Sequence, residues 1–207
     1  MLCKENVDVF VRVTAAKVPA PGGGAVAALV AALGTALGSM CANYTKDKKD
    51  YVEFAEEYER ILNMNEELQN RLLSYIDGDA EGFLPVVEAM KMKAETEEEK
   101  AAKEEALQLA YKGAIEVPLN IIGCCYDAGL MLDELSHHTT PALMSDIAVA
   151  AQMIRAAINA AYVNVLVNIK NVTDREFGAL VFEKMDFCMQ TTLTMCDTIF
   201  WDALNNL

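Results

Sequence analysis

Basic side chains are scarce in this sequence. Lys and Arg number 17 against 31 Asp and Glu, which leaves a net charge of −14 at neutral pH. An acidic chain repels phosphate backbones and anionic headgroups, so we predict no nucleic-acid partner and no membrane partner. An anionic substrate would therefore need a local cluster of basic residues.

Cysteine and histidine patterns typical of metal sites or disulfide frameworks are missing. The six cysteines form no CxxC pair, and the two histidines, His137 and His138, are adjacent in the chain. Adjacent side chains do not readily share one ion, so we expect no metal site. No signal peptide precedes the cysteines, and we expect reduced thiols in a cytoplasmic protein.

Strand patterns are also lacking. Residues 163–169 alternate between apolar and polar side chains, but they continue an Ala-rich helical pattern without a turn signal. With 53% hydrophobic residues the chain can bury a substantial core. The sequence predicts an all-α fold, a single multi-helical bundle over residues 1–207 with a buried Ala/Gly-rich central helix and no sheet.

Apolar periodicity and capping signals place the helices along the chain. The first half predicts helices over residues 5–16, from the glycines to about Tyr44, from Tyr51 to Ile76, and after a break at Asp77-Gly78-Asp79 to about residues 91–93. The second half predicts a helix opened by a Thr96/Glu99 capping box and kinked at Pro118, one capped by Thr140 before Pro141, and one opened by a Thr173/Glu176 capping box.

The segment Pro19-Ala20-Pro21-Gly22-Gly23-Gly24 precedes a long Ala/Leu-rich run. A helix that starts at three glycines presents unpaired N–H groups with no Cβ in the way, so a carboxylate, phosphate or polarised carbonyl could bind there. The alternative is that the glycines only turn the chain.

The uncharged run of residues 18–45 is long enough to span a membrane, but its Ala and Gly content favours burial inside protein.

Two further glycines of this helix, Gly34 and Gly38, lie on one face. Small residues four apart let another helix approach closely, within the chain or across a dimer. We expect this face to support a homodimer.

Several polar residues are candidates for chemistry. Asp79 is either a helix N-cap or a carboxylate that faces a cleft. Asp146, Asn164 and Asn168 lie among alanines, where buried polar groups need partners. The two asparagines either bridge helices or bind a ligand, and Lys91 at a helix end is either solvated or bound to an anion.

These motifs occur in a recognisable order: residues 19–28, residues 39–43, residues 77–83, Ser145-Asp146, residues 164–170 and Thr173-Asp174. The series resembles the cyclodeaminase domain of formiminotransferase-cyclodeaminase and the stand-alone bacterial methenyltetrahydrofolate cyclohydrolases. The resemblance implies an all-helical homodimer with Asp79 as the catalytic aspartate. The expected substrate-binding residues are Gly22, Gly23, Gly24, Asn43, Lys91, Asp146, Asn164 and Asn168.

The resemblance implies a tetrahydrofolate derivative as substrate, with one or several glutamates, and no tightly bound cofactor. The expected activity is hydrolysis of 5,10-methenyltetrahydrofolate to 10-formyltetrahydrofolate, because no transferase domain is attached. The alternatives are cyclisation of 5-formiminotetrahydrofolate with loss of ammonia, and a non-catalytic folate-binding protein. Two positions depart from the family pattern: Ala25 replaces a frequent serine, and Met92-Lys93-Ala94 replaces Leu-Pro-Lys.

Overall fold

The computed structural model describes residues 1–206, in which six α-helices form a bundle and no strand occurs. The predicted all-α fold is confirmed. The helices are α1 Val7–Thr14, α2 Gly23–Thr45, α3 Ala55–Met90, α4 Glu97–His138, α5 Met144–Ile169 and α6 Arg175–Asn205. Short 3₁₀ helices cover Leu2–Lys4, Lys49–Phe54 and Pro141–Leu143.

Helix α2 lies at the centre and packs against α3, α4 and α5. Its alanines are small enough to let these neighbours approach closely, and those at Ala25, Ala27, Ala28 and Ala31 are fully buried. The prediction of a buried Ala/Gly-rich central helix is therefore confirmed.

The face that carries Gly34 and Gly38 is occupied within the chain. A Cβ added at Gly34 would lie 2.9 Å from the side chain of Ile154, and one added at Gly38 would lie 3.0 Å from that of Leu132. Both glycines are buried against α5 and α4. This face serves the internal packing of the protomer, so a dimer has to use another surface.

The predicted helix break at Asp77-Gly78-Asp79 is wrong, because α3 runs through these residues without interruption. Glycine and aspartate cost a helix only about 1 kcal/mol each or less, and packing offsets that amount. Gly78 lies against α4, where an added Cβ would be 3.6 Å from Val117. Asp79 is thus an interior helical residue, and the N-cap interpretation is excluded.

Local capping signals gave mixed results. The Thr96/Glu99 capping box opens α4 as predicted, and α4 continues through Pro118. The predicted Thr173/Glu176 box is wrong: the Asp174 side chain caps α6 by accepting from the Phe177 N–H. Asp174 also pairs with Lys112 at 2.7 Å, and this contact to α4 favours it as the cap.

Helix α1 is shorter than predicted and only Phe10 of its apolar residues is buried, whereas Val7 and Val11 are exposed. Thr140 precedes a 3₁₀ turn that starts at Pro141, without a capping hydrogen bond from its side chain.

Three segments are long and apolar enough to cross a membrane by length and composition, namely α2, α4 and Pro141–Ile169. The expected lack of a membrane partner therefore stays a prediction.

A second, smaller cluster of buried residues joins the last turns of α3 to the first half of α4: Val86, Ala110 and Ala114. Lys103 closes the turn between the two helices, because its Nζ donates to the carbonyl oxygens of Met90 and Met92 at 2.7 and 2.9 Å. The pair of helices forms one wall of the region described next.

Candidate active site

The carboxylate of Asp79 lies at the first turn of α2. Its Oδ2 accepts a hydrogen bond from the backbone N–H of Ala25 at 3.1 Å. A Cβ added at Gly24 would lie 2.0 Å from Asp79 Oδ1, a distance that no pair of non-bonded atoms tolerates. The glycine is therefore required for the carboxylate to reach the helix start, and residues 54 positions apart form one unit.

Burial raises the pKa of Asp79, and the hydrogen bond from Ala25 only partly opposes that shift. Two residues earlier, Asp77 behaves in the opposite way. Burial raises its pKa, but hydrogen bonds from the Cys3 side chain and from the backbone N–H groups of Leu2 and Cys3 outweigh burial and leave the pKa lowered. Asp77 is thus a stable anion that holds the N-terminal segment, whereas Asp79 is suited to taking up and releasing a proton.

Asn164 faces the same helix start. A Cβ added at Gly23 would lie 3.3 Å from Asn164 Nδ2, so a side chain at Gly23 would crowd the amide. The Nδ2 group donates to the Ala160 carbonyl, one turn back in α5. Asp79, Asn164 and the glycines Gly22 to Gly24 are therefore brought together as predicted.

Asn168 lies one turn further along α5 and is 7% exposed. Its Nδ2 donates to the carbonyl oxygens of Ala114 and Asn164, so it bridges α5 to α4. Its Oδ1 is buried without a hydrogen-bond partner in the described part of the chain. The bridging interpretation explains the hydrogen bonds of the Asn168 NH₂ group. The Oδ1 atom can still accept a hydrogen bond from a ligand or a water molecule.

Two predicted binding residues lie at the other end of the bundle. Asn43 is exposed near the end of α2, 20 residues and thus about 30 Å of helix from Gly23. Asp146 lies beside Cys41, where burial and the nearby Asp146 carboxylate raise the pKa of the thiol to about 12. Because α2 and α5 run antiparallel, neither residue reaches Asp79 within one protomer.

Lys91 is exposed just beyond the end of α3, about 18 Å of helix from Asp79. A groove of about 700 Å³ covers this distance between α3 and α4. We call it the α3/α4 groove, and it is lined chiefly by small or apolar residues: Gly82, Pro85, Ala89, Met92, Ala110 and Gly113. Its size is that of a small-molecule site.

The sequence reasoning missed this groove. Its walls come from the consecutive helices α3 and α4, and the residues that line it are spread over residues 82–116, so no single local motif marks it. The one available signal was the run of small residues at spacings of three and four in α4, namely Ala106, Ala110 and Gly113.

The arrangement has a defined chemical capacity. It offers one half-buried carboxyl group with a raised pKa, N–H groups at a helix start, and amide groups on the opposite wall. Such a set can move a proton between two heteroatoms on one carbon and bind a polarised carbonyl. Within residues 1–206, no three His, Cys, Asp or Glu side chains gather in a way that could hold a metal ion.

Comparison with known proteins identifies the family to which this chain belongs. A family model described as formiminotransferase-cyclodeaminase matches residues 6–186. The chain belongs to the formiminotransferase-cyclodeaminase family. The resemblance stated from the sequence motifs is thereby confirmed.

Members of this family with both kinds of name are similar to the chain. Methenyltetrahydrofolate cyclohydrolase from Methylorubrum extorquens is 35% identical over 178 residues, which are 86% of each protein. Formimidoyltransferase-cyclodeaminase from Gallus gallus is 34% identical over 85% of this chain. The chain spans about a third of the length of that relative.

A solved structure of the formiminotransferase-cyclodeaminase family has the same fold. Formiminotetrahydrofolate cyclodeaminase from Thermotoga maritima is 30% identical, with a TM-score of 0.84 that covers 100% of this chain and 98% of the other. The structural match thus spans nearly all of both chains.

The two departures from the family pattern have structural explanations. At Ala25 the group that contacts Asp79 is the backbone N–H, which alanine supplies as well as serine does. The Ala25 side chain is fully buried, a position where a serine hydroxyl would need a hydrogen-bond partner. In the altered segment after Lys91, Lys103 donates to the Met90 and Met92 carbonyl oxygens and so ties the turn to α4.

Proposed function

We propose that the chain hydrolyses 5,10-methenyltetrahydrofolate to 10-formyltetrahydrofolate, with Asp79 as the proton-transferring residue. The observation that carries the proposal is the contact of Asp79 with the first turn of α2, where burial raises the pKa of the carboxyl group. The cyclohydrolase from Methylorubrum extorquens supports it, because the match covers 86% of both proteins.

In the proposed reaction, Asp79 takes a proton from water as the water oxygen bonds to the carbon between N5 and N10. The product is a tetrahedral carbon that carries a hydroxyl group. Asp79 then gives the proton to N5 as the bond from carbon to N5 breaks, and the hydroxyl loses its proton to solvent. The formyl group stays on N10, and one proton is released for each substrate cation.

The carboxylate has a second effect. The substrate carries a positive charge spread over N5, the carbon and N10, and a preformed anion close to that charge stabilises it without reorganisation. The N–H groups of the α2 start and the amide of Asn164 lie beside Asp79 and can bind a carbonyl of the pterin. Asn168 Oδ1 is the acceptor for a pterin N–H in this proposal.

A second candidate is cyclisation of 5-formiminotetrahydrofolate, in which N10 attacks the formimino carbon and ammonia leaves. It is favoured by the structural match to the Thermotoga maritima cyclodeaminase, which covers 98% of that chain. Both reactions pass through a tetrahedral carbon between N5 and N10, so the same carboxyl group serves either one. The non-catalytic alternative requires folate binding without turnover.

The proposal includes a homodimer that packs through an apolar face of α2 and α5. We call it the α2/α5 face, formed by Val30, Leu33, Val149 and Ala156. Leu33 and Val149 are 49% and 51% exposed, although both are large apolar side chains. The absence of a tightly bound cofactor and a cytoplasmic location are also part of the proposal and rest on the sequence alone.

The proposal is tested with purified protein offered both substrates, while methenyl absorbance and ammonia release are followed. We expect methenyl decay with the higher kcat/KM, and Asp79→Asn should lower kcat by roughly 10²–10⁴-fold. Ammonia release with the higher kcat/KM would instead support the cyclodeaminase. Tight folate binding without either reaction would leave only the binding protein.

A further inference from the structure

The α3/α4 groove begins one helical turn beyond Asp79, at Gly82, and ends at Met92 beside Lys91. We infer that this groove binds the aminobenzoyl ring of the folate substrate and leads its glutamate carboxylates to Lys91 and Lys93. The inference rests on the proposed function, because it concerns how that substrate lies across the same site.

The shape of the groove suits a flat ring. Glycines stand on both walls, and a Cβ added at Gly82 or Gly113 would meet no atom within 4 Å. The space in front of both backbones is therefore open rather than filled by neighbouring side chains. Pro85, Ala89 and Ala110 provide an apolar surface on which an aromatic ring buries area that water would otherwise cover.

The charges along the groove set the direction of the substrate. Lys112 and Glu116 both line the groove, and Asp174 pairs with Lys112 at 2.7 Å. Glu116 lies at the end near Gly82, next to where the cationic centre of the substrate reacts. Lys91 and Lys93 are exposed at the opposite end, and no carboxylate of residues 1–206 pairs with either one. Glu88 lies between the two ends, where its carboxylate can accept from the amide N–H that joins the ring to glutamate.

The length of the groove agrees with this placement. Eight helical residues separate Gly82 from Met90, which corresponds to about 12 Å, and Met92 lies two residues beyond the end of the helix. An extended chain of bonds advances about 1.2 Å per bond, so the path from N10 to the glutamate carboxylates is roughly 10 Å long. The flexible lysine side chains cover the remaining distance. The pterin then lies on the other side of Asp79, against Asn164 and the α2 start.

Two matched glycine variants test the inference. Gly113→Leu places a side chain in the groove, whereas Gly178→Leu makes the same change on α6, where an added Cβ also meets nothing within 4 Å. Leucine is a better helix former than glycine at both positions, so we expect both variants to fold. The probe is p-aminobenzoylglutamate, whose binding is measured by calorimetry, together with KM for 5,10-methenyltetrahydrofolate.

We expect Gly113→Leu to raise the Kd of the probe and the KM by about tenfold or more, and Gly178→Leu to change neither. A reversal of charge in Lys91→Glu/Lys93→Glu should weaken p-aminobenzoylglutamate but not p-aminobenzoate, which lacks the glutamate. Wild-type affinity for the probe in Gly113→Leu would overturn the inference. A change of oligomeric state with unchanged probe affinity would also overturn it and identify the groove as a protein interface.

Failure of the inference and failure of the proposed function give different results. If wild-type protein converts no folate but the probe binds in the groove, the proposed reaction is wrong and the subsite stands. If wild-type protein is active and Gly113→Leu leaves KM unchanged, the reaction stands and the subsite is wrong.

Discussion

The carboxylate of Asp79 occupies the space that a side chain on Gly24 would fill. The distance from an added Cβ to Asp79 Oδ1 would be 2.0 Å. This contact links the glycine segment to the aspartate of α3, and the function of each depends on the other. It also makes the glycine segment testable independently of Asp79 itself.

We predict that Gly24→Ala displaces the carboxylate and lowers kcat by roughly 10²-fold or more, because the proton carrier no longer lies at the helix start. Gly22→Ala is the comparison within the same binding segment, and it should lower kcat less, since its Cβ would lie 3.9 Å from Asp79 Oδ2, an ordinary contact. Both positions have negative φ, so alanine causes no backbone strain. Steady-state kinetics on both variants provides the measurement, and equal activities would show that the contact does not matter.

The raised pKa of Asp79 predicts how activity depends on pH. Burial is the main cause of the shift, so the carboxyl group loses its proton at a higher pH than an ordinary aspartate. Activity that needs the ionised form should therefore fall on the acid side with a midpoint above the ordinary aspartate value. A kcat/KM profile measures this midpoint, and a midpoint at or below the ordinary value would contradict the assignment.

The same shift has a consequence for stability. A carboxyl group whose pKa is raised by folding favours the folded state below its unfolded pKa, and this contribution is lost as pH rises through the folded pKa. Asp79→Asn removes the ionisation, so the melting temperature of the variant relative to wild type should be higher at neutral pH than at acid pH. Thermal melts at pH 3 and pH 7 measure the difference. An advantage of the variant that grows toward acid pH would contradict the sign.

How much of this site could be predicted from sequence depends on the distance between the residues involved. The Thr96/Glu99 capping box spans three residues and was predicted correctly, because its hydrogen bonds are local. The break at Gly78 was predicted wrongly, because local propensity does not include the packing of this part of α3 against Val117 of α4. The sequence interpretation assigned Asp79 and Gly24 to one site, but it did not predict their contact, because the contact joins separate elements.

Residues of the family motifs do not all meet within one protomer. Asn43 and Asp146 belong to the family motifs, but the antiparallel arrangement of α2 and α5 takes them to the end of the protomer opposite Asp79. The apolar periodicity of a single helix does not reveal whether its neighbour in the bundle runs parallel or antiparallel to it. That information comes from the packing of whole helices.

The internal packing of Gly38 leads to a prediction on stability. Gly38→Leu should lower the free energy of unfolding by about 1–3 kcal/mol, because the new side chain collides with Leu132 inside the protomer. The loss should be the same at all protein concentrations. Leu33→Asp on the α2/α5 face should instead halve the mass measured by light scattering and leave the fold intact. A concentration-dependent effect of Gly38→Leu would place Gly38 at the dimer interface after all.

The last prediction concerns Asp146, which lies at the end of the protomer opposite Asp79. In the proposed homodimer this position can bring it close to the Asp79 end of the partner protomer. Asp79 lies at the level of Ala25 on α2 and Asp146 at the level of Cys41. Leu33 is eight residues from each of these levels. A two-fold axis at Leu33 would therefore bring the Asp146 end of one protomer beside the Asp79 end of its partner.

Complementation between two inactive variants tests this arrangement. Asp79→Asn and Asp146→Asn should each be nearly inactive alone. When the two are unfolded together and refolded as mixed dimers, one of the two sites in each mixed dimer contains both wild-type residues. Because mixed dimers are half of a random population, we expect about a quarter of the wild-type activity to return. If both aspartates acted from the same chain, every site would lack one of them and no activity would return.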